Sequence, residues 1–104
     1  MYLQVQTTVA SEEQALRIAG ELVERRLAAC VQVAGPILST YRWEGQVEHA
    51  REWLCLIKTR ESLYPRLEHA IRELHDYDTP EIIATPITHG SRDYLNWLAG
   101  QVVE

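Results

Sequence analysis

The stretch from Gln46 to Thr59 reads as one strand arm of 14 residues. At ~3.3 Å per residue such an arm extends ~46 Å. A compact domain of this length has a radius of gyration near ~13 Å, hence a diameter of roughly 33 Å. Ordinary strands hold about 5–6 residues. The preceding segment, Ile37 to Trp43, is also strand-like, and Glu44-Gly45 between the two fits a two-residue hairpin turn. The hairpin therefore either curls sharply within a monomer or projects beyond its own core. It carries Tyr41, Trp43 and Trp53, so a projecting hairpin presents aromatic surface that a neighbour would cover. The expectation is an oligomer.

The rest of the chain supplies a small core for that hairpin. Leu3, Val5, Thr7 and Val9 alternate with Gln4, Gln6 and Thr8, the pattern of a half-buried strand. Ser11 followed by Gln14 forms a capping-box signature. Ala15, Leu16, Ala19, Leu22, Val23 and Leu27 recur at helical spacing, which predicts a helix over 12–27. A strand follows from Ala29 to Val33, interrupted at Gly35-Pro36 by a bulge or bend and resumed at Ile37. In the return arm, Trp53-Leu54-Cys55-Leu56-Ile57 is apolar on both faces. A second helix carries Leu63, Leu67, Ala70, Ile71 and Leu74 on one stripe, with Pro65 tolerated in its first turn. After the loop 75–80 come a strand over 81–87 and a short helix over 91–98. Strand, helix, strand, strand, helix, strand and a final helix describe an α+β class, the ferredoxin-like split βαβ sandwich. With no solenoid-period repeat and no linker, residues 1–104 form a single domain.

Charge narrows the function. Fifteen acidic against ten basic residues leave a formal charge of -5, opposite to a nucleic-acid footprint. No apolar run approaches the ~18 residues that cross a bilayer, so no membrane partner is expected. The N-terminus alternates instead of forming a basic-then-apolar leader, which gives a cytoplasmic expectation. Two cysteines are too few for a disulfide scaffold. The chain has no Walker loop, G-x-G-x-x-G, G-x-S-x-G or H-E-x-x-H, so neither catalysis nor an organic cofactor is expected.

Several segments then converge on one family. Leu27-Ala28-Ala29-Cys30-Val31, Tyr41-Arg42-Trp43-Glu44-Gly45 and Ile57-Lys58-Thr59 resemble segments of the CutA family of divalent-cation-tolerance proteins. So do His75-x-Tyr77-x-x-Pro80-Glu81-Ile82-Ile83, Pro86-Ile87, Gly90 and Tyr94-Leu95-x-Trp97-Leu98. The resemblance is collinear from Thr7 to Leu98. It implies a tight homotrimer of ferredoxin-like subunits, similar in architecture to PII signalling proteins, and an association with copper or another divalent cation. The chain departs from the family pattern where Asp76 replaces a common Pro. Some members also carry a Cys at the position of Thr7 and a His at that of Leu74. A metal site built on those two ligands does not transfer to this chain.

Copper and zinc favour thiolate and imidazole donors. The candidates are Cys30, Cys55, His49, His69, His75 and His89, and no two stand at chelating sequence spacing. Cys55 reads as core, His49 and His69 as solvated, and His89 as part of a turn. Cys30 falls on the sheet face away from the helices, either as a metal ligand or as a small thiol filling an interface. His75 ends the second helix. There it either caps the helix as a cation or holds a metal with Tyr77, Glu81, Asp76 and Asp78 nearby. Trp43, Lys58, Tyr77, Glu81 and Trp97 form a second constellation. They would line a pocket for a small anionic or zwitterionic ligand, or a subunit interface with Lys58 paired to Glu81.

Overall fold

The computed structural model describes residues 1–103. Its elements are β1 (Tyr2–Val9), α1 (Glu12–Glu24), β2 (Cys30–Trp43), β3 (Gln46–Arg60), α2 (Tyr64–Leu74), β4 (Ile83–Ile87) and α3 (Arg92–Gln101), with a single 3-10 turn at Glu61–Leu63. The four strands form one antiparallel sheet in the order β2-β3-β1-β4. In each βαβ half a strand of the other half is inserted between the two parallel ones, β3 between β1 and β2 and β1 between β3 and β4, the split βαβ topology.

Alternation decides which face is packed. Leu3, Val5, Thr7 and Val9 of β1 lie beside Cys55 and Ile57 of β3, and Val31 and Val33 of β2 pack against them. Ile18 and Leu22 of α1 and Leu67 and Ile71 of α2 close this face. The opposite face carries Gln4, Gln6, Cys30, Gln32, Leu54, Leu56 and Lys58. Leu54 and Leu56 are only half-buried there. The apolar run of β3 thus serves two different surfaces, the core through Cys55 and Ile57 and the open face through Leu54 and Leu56.

The hairpin projects. The chain measures 45 × 25 × 22 Å. Partnership between β1 and β3 ends at Val9 and Trp53, and beyond it β2 and β3 continue as a two-stranded ribbon. Its register shifts between Ala34 and Ile37, the bulge expected at Gly35-Pro36. Trp53 packs so closely on the Gly35 backbone that a Cβ there would overlap the indole ring. The turn holds Glu44 at φ 50 and Gly45 at φ 79, both left-handed, as a two-residue connection matched to strand twist requires.

Several boundaries differ from the sequence expectation. The Ser11 Oγ accepts from the Gln14 N–H at 3.1 Å, but the Gln14 side chain does not complete a reciprocal box and has no partner for its buried amide. α1 stops at Glu24, not Leu27, because Arg26 turns left-handed at φ 58 and the Leu27 and Ala28 amides bond back to Leu22. The Arg26 guanidinium donates to the carbonyls of Gly100 and Gln101 at 3.0 Å, capping α3, which runs to Gln101 instead of ending at Leu98. β4 begins at Ile83 instead of Glu81, where its pairing with Gln6 starts.

Candidate functional site

The two expected metal donors are held apart. Cys30 pairs across the sheet with Lys58 and lies on the open face, half-buried beside Tyr94 of α3. Burial, and then the neighbouring Cys30 thiol, raise the Tyr94 hydroxyl above its usual range. His75 stands beyond the end of α2 against the C-terminal end of β1, only 9% exposed. Its Nε2 donates to the Thr8 carbonyl at 2.9 Å and its Nδ1 accepts from the Tyr77 N–H at 3.1 Å. Burial pushes the imidazole below its usual pKa despite opposing contributions from the Thr8 bond, Asp76 and Glu52. The ring is therefore neutral near pH 7 and occupies the C-cap through its backbone N–H, not as the cation expected from the helix dipole. Cys55 is core, as expected, and burial raises its thiol to about 11. Among the described residues no three His, Cys, Asp or Glu side chains converge on a point that could hold a metal ion. The described residues of one chain do not supply a closed ligand set.

The aromatic constellation is only partly assembled. A groove of about 700 Å³ opens between the hairpin and the loop that follows α2, lined by Tyr41, Trp43, Glu52, Tyr77, Asp78 and Glu81 with smaller residues. Three of the five expected residues, Trp43, Tyr77 and Glu81, thus meet at one recess. Lys58 does not reach it: it stands six residues along β3 from Glu52, ~20 Å at ~3.3 Å per residue, and donates to the Gln32 Oε1 at 2.6 Å. Glu81 accepts from the Gln6 amide at 2.9 Å, so within one chain Lys58 and Glu81 are not paired. Trp97 lies on α3 against Tyr94, with ring centroids 5.6 Å apart, and does not line the groove.

Glu52 is the member that sequence reading missed. It sits at the mouth of the ribbon, 6% exposed, and accepts from the Tyr77 hydroxyl at 2.9 Å. Burial first, and Glu52 next, push the Tyr77 phenol up to about 12, so it stays a neutral donor at ordinary pH. The signal for Glu52 was faint: one acid directly before the apolar run, opposite Ile37 where the bulge resets the register.

A small ferredoxin-like domain with one bare sheet face, a projecting ribbon and a lined recess is the class that fold and site define. The family described as CutA1 divalent ion tolerance protein matches residues 3–101, and the chain belongs to it. The divalent-cation tolerance protein CutA of Thermus thermophilus is 50% identical over 91 residues, covering 88% of both chains. Its solved structure superposes with a TM-score of 0.96 over 99% of this chain and all of that one. Rice CutA1 superposes with a TM-score of 0.97 at 43% identity, over 99% of this chain and 94% of that one. The periplasmic divalent cation tolerance protein CutA from Archaeoglobus fulgidus gives a TM-score of 0.96 at 38% identity, over 99% of this chain and all of that one. The chain spans about half the length of its curated human and Arabidopsis relatives, 54% and 52%.

Proposed function

We propose that this protein is a non-catalytic homotrimer that binds divalent cations, copper among them, as part of a cytoplasmic response to metal ions. The observation that carries the assembly is the bare sheet face. Leu54 and Leu56 on β3, half-buried, and the half-exposed Ile83 on β4 lie there, next to a ribbon whose Leu38, Trp43 and Val47 are exposed. A second and third copy would bury both surfaces. Membership in a divalent-cation tolerance family supports the metal. Because the donors among the described residues do not converge within one chain, the proposed site draws on more than one copy, and Cys30 on the open face is its favoured soft donor. His75 would ligate only by giving up one of its two hydrogen bonds.

Native mass spectrometry of protein prepared without a metal-affinity tag tests both parts. The expected species is three times the 12.0 kDa chain, taking up copper with a loss of affinity in Cys30→Ser. A stable 12.0 kDa species at micromolar concentration would exclude the assembly. Unchanged copper uptake in both Cys30→Ser and His75→Ala would remove these residues as ligands.

A second reading has one specific observation in its favour. The groove beside Trp43, Tyr77 and Glu81 is of small-molecule size, which suits a PII-like signalling trimer in which metal binding is incidental. A retained metabolite, and no metal, in the same spectrum would favour it.

A further inference from the structure

The helix layer carries a recess of its own, on the side of the sheet away from the bare face and the ribbon, so the proposed assembly leaves it open. Its volume, about 450 Å³ between the end of α1 and α2, lies within the ~300–1,000 Å³ of small-molecule sites. Leu27 and Ala70, both buried, form an apolar floor, and the exposed Arg25, Arg66, His69 and Glu73 line the rim. Arg25 is anchored from outside the recess: its Nε and Nη2 reach the Glu21 carboxylate at 3.0 and 2.9 Å. Its Nη1 stands 3.6 Å from one Glu73 oxygen, and the His69 Nε2 stands 3.7 Å from the other. Both separations exceed a hydrogen bond, so Glu73 bridges the two only loosely. Arg66 makes no ion pair among the described residues. A chain of formal charge -5 thus presents two guanidinium groups and an imidazole against a single carboxylate at this rim. Guanidinium forks match carboxylate and phosphate oxygens. The apolar floor adds surface that only an organic anion would use.

We propose that this recess binds a small organic anion, its carboxylate or phosphate held by Arg25 and Arg66 and its apolar body resting on Leu27 and Ala70. The inference is independent of both the metal and the assembly readings. Exposed ion pairs contribute little singly, so the expected affinity is millimolar and weakens as salt rises. NMR titration of the intact, isotope-labelled protein with phenyl phosphate, phenylacetate and the uncharged phenylacetamide tests it. The anions are expected to shift the Arg25, Arg66 and Ala70 signals saturably, the tighter of the two identifying the head group. Phenylacetamide should bind about tenfold more weakly than phenylacetate, since it lacks the charge. Arg66→Gln should weaken the anions about three- to tenfold. Glu73→Gln should tighten them about two- to fivefold, because it removes the acid that competes for Arg25 and His69. Both substitutions are at exposed positions, so the circular dichroism spectrum should not change. No saturable shift at millimolar concentration would overturn the proposal, as would equal binding of phenylacetamide. So would unchanged or weaker binding in Glu73→Gln, or shifts confined to residues outside the recess.

Discussion

Strand β3 passes through two environments. Its inner half, from Trp53 to Arg60, lies between β1 and β2, and Cys55, Ile57 and Thr59 are fully buried under the helices. Its outer half, from Gln46 to Arg51, has β2 as its only partner, and Val47 is exposed although as apolar as its inner counterparts. The change falls where β1 runs out at Val9. Pairing with β2 runs through both halves, interrupted at the bulge between Ala34 and Ile37, so pairing alone does not bury a side chain. Burial needs a third strand and a helix layer. A two-stranded ribbon is marginal in water, so the outer half lacks the support that a third strand and the helices give the inner half.

The sharpest break in that comparison is Ile57→Asp. A carboxylate at a fully buried position without a partner costs several kcal/mol, and the variant should show no cooperative thermal transition. One residue away, Leu56→Asp faces the open side. That variant should keep its secondary structure by circular dichroism and sediment as a 12.0 kDa chain, whereas the proposed wild-type trimer would sediment at three times that mass. If both variants unfold alike, the distinction between the two faces of the inner half fails. At the junction of the halves, Gly35→Ala drives a Cβ into the Trp53 indole and should cost about 1–3 kcal/mol in urea denaturation, as overpacking does. A wild-type midpoint there would mean the ribbon moves freely against the core.

The smallest effect is a pH dependence anchored in the inner half. Burial holds the folded His75 pKa below its unfolded value of ~6.5. The unfolded chain then binds the extra proton first, so this contribution is complete above ~6.5 and is lost as pH falls toward the folded pKa. Denaturation midpoints should drop between ~pH 8 and ~pH 5.5, and His75→Phe should flatten that part of the profile. An unchanged profile in the variant would assign the acid sensitivity to other groups.

Local chemistry was readable wherever one residue type had one conformational use. Ser11 caps α1, Pro65 sits in the first turn of α2, and Gly35-Pro36 marks the bulge. The end of α1 was not readable, because a left-handed arginine carries none of the glycine signal that usually closes a helix. Arg26 accepts that conformation while its guanidinium holds the carbonyls of α3, 74 and 75 residues away. His75 shows the same limit. A histidine at a helix end favours its charged form, but the Thr8 carbonyl and the surrounding burial select the neutral ring.

The sequence by itself determined the order of the elements, the face on which each strand packs and the excess length of the hairpin. Those follow from periodicity and reach, which are properties of a few adjacent residues. Only the tertiary structure decided what the functional side chains meet. Cross-strand register set Lys58 beside Gln32 and Cys30 opposite Lys58, and the loop after α2 carried Tyr77 to Glu52, 25 residues away. Register and loop path depend on how layers pack, and a one-residue shift would exchange the two faces of β3. Five site residues named as one constellation therefore divide among a groove, an open sheet face and a terminal helix.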